Sequence, residues 1–240
     1  RDSAIEKITV DEENPWYCSA RGSLFTKARK KLVCCPPLNT VFRVFDETEE
    51  IGAFACWGNT RLMKLEIPEN IRSLSQGAFG GCSQLKTVTL PEHLEEIGEG
   101  AFERCFTLKT LTLPENIRVV PRELCAECYG LEEVTLAEGT TEIRRNAFED
   151  CISIKKIRNT EHIVIVEGTV FQNCHRLAIP RMDSRCQNVR YLGTDFETVC
   201  ENSTKLMLGY ERKNVDEWKQ RELERLERRA TRIMRALENQ

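Results

Sequence analysis

The residue types best equipped for chemistry in this 240-residue chain are twelve cysteines and three histidines. A nucleophilic thiol needs a base beside it, and Cys174-His175 is one adjacent pair of that kind. A zinc site needs thiolates or imidazoles at ligand spacing, and Cys125-x-x-Cys128 supplies half of one. No second Cys or His pair stands at ligand spacing, so no metal is expected. His93 lies in a Pro-Glu-His turn, and His93, His162 and His175 follow no catalytic spacing. No glycine-rich phosphate loop is present, so no cofactor and no catalytic residue are expected. Asn202-Ser-Thr is a glycosylation sequon, which matters only in a secreted chain.

The elements that must carry these residues come from a period. Cys82, Cys105, Cys128, Cys151 and Cys174 recur every 23 residues. Leu62, Leu85, Leu108, Leu131, Ile154 and Leu177 keep the same step of 23, as do Phe79, Phe102, Phe148 and Phe171, with Cys125 replacing the aromatic in one turn. Gln-Leu-Lys-Thr-Val-Thr-Leu-Pro at 84–91 returns as Thr-Leu-Lys-Thr-Leu-Thr-Leu-Pro at 107–114. A period in this range with L-x-x-L-x-L spacing marks a leucine-rich solenoid. One unit cannot bury its own apolar face, and stacked units share a core. The cysteine column then points inward as small apolar side chains. That placement argues against Cys174 as a nucleophile and accounts for Cys128 without a metal.

The unit I-x-x-I-G-x-x-A-F-x-x-C-x-x-L-x-x-[VL]-T-L-P stands here as Ile97-Gly98, Ala101-Phe102, Cys105, Leu108 and Leu111-Thr-Leu-Pro114. It resembles the BspA-like leucine-rich repeat from about Ile5 to Pro180. The segment DEENPWYCSARGSLFTKARKKLVCCP is similar to that family's hairpin-bearing repeat. The resemblance implies the fold; it leaves function open, because the family's surfaces bind very different partners. Many resembling proteins are surface adhesins.

The expected fold is a mainly β leucine-rich-repeat solenoid of 23-residue repeats with a C-terminal amphipathic helix. Residues 1–41 read as a degenerate first repeat, with a strand at Ile5, Ile8 and Val10 and a two-stranded insert. Residues 42–182 read as the solenoid. In its first rung Ala53-Phe54 is matched to the Ala-Phe column, leaving two extra residues before Leu62, so that Cys56-Trp57-Gly58-Asn59 bulges. Trp57 is then either tucked over the core or an exposed contact. Edge strands are expected at Ile71–Leu74, Leu94–Ile97 and Ile117–Val120, with the repeat decaying over 137–180. Residues 183–213 read as a cap with a capping-box helix start at Thr194. Residues 214–240 read as a helix, with Leu223, Leu226, Ala230, Ile233 and Leu237 on one stripe.

Strand alternation turns Val88 and Leu90 inward and Thr87 and Thr89 outward. The outward columns are Lys64, Thr87, Thr110, Glu133 and Lys156, and Glu66, Thr89, Thr112, Thr135 and Arg158. These are the candidate protein-binding residues, together with the helix stripe Arg221, Arg225, Arg228, Arg232 and Arg235. A second candidate is the acidic column Glu69, Glu92, Glu115 and Glu138. A net charge of −3 and the glutamates interspersed in the arginine stripe argue against nucleic acid as a partner class. No run approaches the ~20 apolar residues of a membrane span. The expected function is a non-enzymatic protein-interaction scaffold. The alternatives are a structural subunit of a large assembly anchored by its C-terminal helix, and a cell-surface adhesin. The chain begins Arg-Asp-Ser without Met and shows no signal peptide, as a mature or trimmed product would. An unpaired buried cysteine column favours a reducing intracellular compartment, with the cell surface as the alternative.

Overall fold

The structure, a computed structural model, describes residues 5–36, 40 and 42–178. Backbone contacts divide the chain into two units, Arg1–Leu206 and Met207–Gln240, and every described residue lies in the first. The cap expected over 183–213 and the helix expected over 214–240, with all five of its arginines, lie outside the described residues.

The described chain is a β-solenoid. Three-residue strands stack in parallel as one sheet: β5 (Lys64–Glu66), β7 (Thr87–Thr89), β9 (Thr110–Thr112), β11 (Glu133–Thr135) and β13 (Lys156–Arg158). The opposite side carries two-residue strands: β4 (Glu50–Ile51), β6 (Ser73–Leu74), β8 (Glu96–Ile97), β10 (Val119–Val120), β12 (Glu142–Ile143) and β14 (Ile165–Val166). These edge strands are shorter than the sequence suggests. The turns before them are occupied by one-turn hydrogen bonds such as Leu94 N to Pro91 O, 3.2 Å, which take the amides a strand would use.

The N-terminal insert has three strands, not two. β1 (Tyr17–Ala20), β2 (Ser23–Thr26) and β3 (Lys31–Cys34) form an antiparallel meander, and β3 then pairs in parallel with β4. The meander thus covers the first sheet edge, a strand edge that would otherwise be open. Residues 5–10 form no strand. Ile5 is exposed, and Ile8 only donates its amide to Gly22 O.

Inside, the 23-residue columns are real columns. Leu62, Leu85, Leu108, Leu131 and Ile154 are fully buried. Phe79 and Phe102 stack with centroids 6.0 Å apart, as do Phe148 and Phe171. The rung between them holds Cys125, but its preceding residue is Leu124 where the others have Ala78, Ala101 and Ala147. All of these are buried. Volume removed at the aromatic position is returned one residue earlier, which keeps the interior close-packed.

The cysteines do more than fill space. Cys82, Cys105, Cys128, Cys151 and Cys174 donate their thiol hydrogens to the carbonyls of Cys56, Phe79, Phe102, Cys125 and Phe148, at 3.0–3.4 Å. Each acceptor belongs to the Ala-Phe turn of the coil before, so the column ties every turn to the next. A thiol is a weak donor, but an unpaired buried carbonyl would cost more.

The first rung corrects the expected alignment. Ala55 and Cys56, not Ala53 and Phe54, occupy the Ala-Phe columns, each 1% exposed, while Phe54 lies 52% exposed. Asn59 takes the cysteine position and is buried, so there is no two-residue insertion. The amides of Phe54, Cys56 and Gly58 pair with the carbonyls of Gln76, Ala78 and Gly80, which fixes this register. The ring missing at Cys56 is replaced from elsewhere: Phe42 packs edge-on against Phe79 at 5.2 Å. Trp57 is half-buried over Gly77 and Gly80, where any Cβ would meet its ring or that of Phe54.

One interface between coils is loosely knit. Residues 87–97 face residues 110–120. Here β7 and β9 pair only at Thr87↔Thr110, and among the described residues no strand pairing joins β8 to β10. Pro121 accounts for one of the bonds missing there. At the equivalent places Ser75, Gly98, Arg144 and Glu167 donate their amides to Ile51, Leu74, Val120 and Ile143. Proline has no N–H to give Ile97. Val88 and Leu90, expected inside, are only half-buried at this seam, whereas Leu111 and Leu113 are buried. The sequence decay over 137–180 leaves the coils intact: Ala137 and Thr160 are buried at the proline position, and β11–β14 keep their register through residue 166.

Candidate functional site

The five-stranded sheet presents ten outward side chains in two columns. Pairing runs Lys64↔Thr87↔Thr110↔Glu133↔Lys156 along one, and Glu66↔Thr89 and Thr112↔Thr135↔Arg158 along the other. Lys64, Glu66, Thr87, Thr89, Thr110, Thr112, Lys156 and Arg158 are exposed, and Glu133 and Thr135 are half-buried. The sequence-derived face is therefore assembled as expected, apart from the incomplete pairing at Thr89 and Thr112.

Its charges are largely spent on one another. Lys64 Nζ lies 2.5 Å from Glu66 Oε1, and Arg158 Nε donates to Glu133. Glu132, beside the face, sits between Lys109 at 3.3 Å and Lys155 at 2.8 Å. The hydrogen bond from Lys155, then that from Lys109, holds the Glu132 carboxyl below the usual carboxylate range. The Arg158 guanidinium does the same to Glu133. Lys156 makes no ion pair among the described residues, and the centre, Thr87, Thr89, Thr110 and Thr112, carries no charge.

A feature not expected from alternation lies close to this centre in the chain. Phe106 and Tyr129, in the turns that enter β9 and β11, stack in parallel with centroids 5.1 Å apart and remain 38% and 39% exposed. Ile152 continues the line at 45%. Tyr129 Oη donates to Glu127 Oε2, and Glu127 also accepts from Arg104 at 3.0 Å. Burial of part of the ring and the neighbouring Glu127 push the Tyr129 phenol up. The signal was present in the sequence, since 106, 129 and 152 keep the step of 23.

The acidic column is also solvent-facing. Glu69, Glu92, Glu115 and Glu138 are exposed, and Asp46 and Glu161 extend it at both ends. Its members meet through the backbone: the Glu92 amide donates to Glu69 Oε2 at 3.2 Å.

The chemical candidates are not brought together. Cys174 faces inward, and burial pushes its thiol far up, whereas His175 is exposed. His93 and His162 are exposed on separate turns. Among the described residues no group of three or more His, Cys, Asp or Glu side chains is arranged to hold a metal ion. No helix among them is long and apolar enough to cross a membrane.

Solved structures share this architecture. A leucine-rich repeat protein from Eubacterium ventriosum superposes with a TM-score of 0.70 at 24% identity, over 75% of this chain and 49% of that one. The chain thus spans about half the length of that protein. A leucine-rich repeat protein of T. pallidum matches with a TM-score of 0.57 at 21% identity, over 81% of this chain and 93% of that one. The pneumococcal vaccine antigen PcpA matches with a TM-score of 0.51 at 20% identity, over 68% of this chain and 45% of that one. At these identities the likeness is one of fold. No curated protein matches the sequence. The sequence profile of the BspA type leucine rich repeat region matches six copies over residues 49–178, the same coils that stack in the structure. With six consecutive copies over more than half its length, the chain belongs to the BspA-type leucine-rich repeat family.

Proposed function

We propose that this chain is a non-enzymatic protein-interaction scaffold whose partner lies across β7, β9 and β11. One observation carries the reading. The threonine centre has no charge to desolvate, most of its flanking charges are paired, Lys64 with Glu66 and Arg158 with Glu133, and an exposed aromatic stack adjoins it in the chain. Interfaces concentrate their energy in such partly buried aromatics surrounded by neutral contacts. The rigid coils bear the ordering cost before the partner arrives, which is how a repeat surface gains affinity. In this reading Phe106 and Tyr129 are the anchors and Thr87, Thr89, Thr110 and Thr112 the complementary surface. Lys64, Glu66, Glu133, Thr135, Lys156 and Arg158 set the charged border. The arginine stripe Arg221 to Arg235 belongs to a competing reading, a subunit anchored in an assembly through residues 214–240.

Affinity capture from the source cells, quantified by mass spectrometry, separates the two. Proteins held by the whole chain and lost with both Thr110→Lys and Tyr129→Ala support the scaffold face. Capture unchanged by both but abolished when 214–240 is removed would establish the anchored-subunit reading instead.

A further inference from the structure

Among the described residues, two neighbouring cysteine pairs differ in one respect. Cys125 and Cys128 hydrogen-bond to each other within one turn, and both are fully buried. Cys35 and Cys56 are also neighbours, and they join two separate pieces of chain; burial, then the adjoining Cys35, pushes the Cys56 thiol up, so Cys35 is the thiol that must react first. Cys35 follows β3 of the N-terminal meander, and Cys56 stands in the first Ala-Phe turn. The Cys35 amide donates to Ala55 O at 2.6 Å, which lays one residue's backbone alongside the other's. Cys35 is 7% exposed and Cys56 1%, and the half-buried Cys34 precedes them at the surface. The pair therefore sits at the N-terminal end of the cysteine column, beside the half-buried Cys34, with Cys35 only slightly exposed.

We infer that Cys35 and Cys56 form an oxidisable dithiol, a modification site at which a hydroperoxide closes a disulfide between the N-terminal meander and the first coil. The Cys35 thiolate attacks the terminal peroxide oxygen, forming Cys35–SOH and breaking the O–O bond; the alkoxide or hydroxide released takes up the thiol proton. The Cys56 sulfur then attacks the Cys35 sulfur, the S–O bond breaks, and hydroxide leaves with the Cys56 proton as water. Two thiols and one hydroperoxide give one disulfide, one alcohol (water, for hydrogen peroxide) and one water. Sulfenic acids condense in this way with a thiol already in contact. A tether between β3 and the Ala-Phe turn would fasten the piece of structure that covers the first sheet edge. Cys125 and Cys128 have the contact without the access, and within one turn their closure would tether nothing.

The test uses the whole reduced protein, treated with graded hydrogen peroxide, blocked with an alkylating agent and cut by trypsin without reduction. Trypsin leaves Cys34 and Cys35 on peptide 32–43, Cys56 on 44–61, and Cys125 with Cys128 on 123–144. The expected product is 32–43 joined to 44–61, lighter than the sum by two hydrogens and separated again by dithiothreitol. It is retained in Cys34→Ser and lost in Cys35→Ser and Cys56→Ser. Mapping the wild type stands even where a variant fails to fold. The inference is overturned if Cys34→Ser removes the linked pair, if oxidation of 32–43 stays within that peptide, or if 123–144 oxidises at the same peroxide dose.

Discussion

Two neighbouring interfaces in this solenoid are built from the same repeat and held differently. Where residues 110–120 meet 133–143, β9 and β11 pair over three residues, β10 and β12 over two, and Leu113 and Arg144 add amide bonds at 2.9 and 3.0 Å. Where 87–97 meet 110–120, the single pair Thr87↔Thr110 remains. Yet most of the interior does not register the difference, the half-buried Val88 and Leu90 excepted. Leu94, Ile97, Ile117 and Val120 are buried across the loose interface as their equivalents are across the tight one. The stack is therefore set by the apolar columns, and the hydrogen-bond ladder follows where the backbone allows. Magnitudes agree: a backbone bond nets about 0.5–1.5 kcal/mol, whereas a buried phenylalanine cut to alanine costs about 3–5.

The largest expected effect tests that ranking. Phe102→Ala and Phe148→Ala should each destabilise the solenoid by about 3–5 kcal/mol in urea denaturation, although only Phe102 precedes the loose stretch of its coil. If Phe102→Ala costs under about 1 kcal/mol while Phe148→Ala costs the full amount, packing is not continuous past the seam and the comparison fails.

A smaller effect is expected in the rung that follows the seam. Restoring the aromatic with Cys125→Phe overpacks a site where Leu124 already supplies the volume, at a cost of about 1–3 kcal/mol. Leu124→Ala alone leaves a cavity. The double substitution, which recreates the Ala-Phe pair of Ala101-Phe102, should recover most of both losses. That non-additivity is what contacting residues show. Additive losses in the double variant would mean that the two positions do not share one space.

Much of this arrangement is legible in the sequence. The columns at Leu85, Phe102 and Cys105 follow from the period alone, because a side chain displaced by 23 residues must meet its predecessor. The first rung is easily misaligned, because Ala53-Phe54 imitates the motif two residues early. Counting from Ile51-Gly52 against Ile97-Gly98 puts Ala55-Cys56 in place, and the period outweighs the local match. Alternation misses the aromatic border because it selects residues inside strands, and Phe106 and Tyr129 stand just before them. The seam is foreshadowed only at Pro121, since the half-burial of Val88 and Leu90 depends on how the coils settle. The C-terminal arginine stripe is legible as a pattern and lies outside the described residues.

Pro121→Ala addresses one of the missing bonds at the break. It restores an N–H opposite Ile97 O, a gain of about 0.5–1.5 kcal/mol, and returns about 0.4–1 kcal/mol of unfolded-chain entropy that the proline had removed. The two nearly cancel, so the midpoint of unfolding should hardly move. Hydrogen exchange gives the sharper reading. The new amide should exchange as slowly as those of Arg144 and Glu167, and Ile97 and Val120 should be drawn into one sheet. Rapid exchange of that new amide would show that the coils are held apart by packing, with the proline merely accommodated.

The smallest effect distinguishes the two interfaces by pH. Glu132 and Glu133 tie β9, β11 and β13 through Lys109, Lys155 and Arg158, whereas the facing residues at Thr87 and Thr110 carry no charge. Both carboxyls titrate below the ordinary glutamate range in the folded chain, because their cationic partners favour the ionised form. Their contribution is complete above the unfolded-chain value and is lost as pH falls through the lower folded value. These groups lie on the surface, so the loss is slight and is best followed site by site. On acidification, amide exchange in 133–135 should quicken toward that of 87–89, while Leu90 stays unchanged relative to its own intrinsic rate. Arg158→Ala should return the Glu133 carboxyl toward its ordinary range in a carbon-detected NMR titration and leave Glu132 where it was. A Glu133 titration identical in both proteins would remove the ion pair from the account of why this end of the sheet is the better knit.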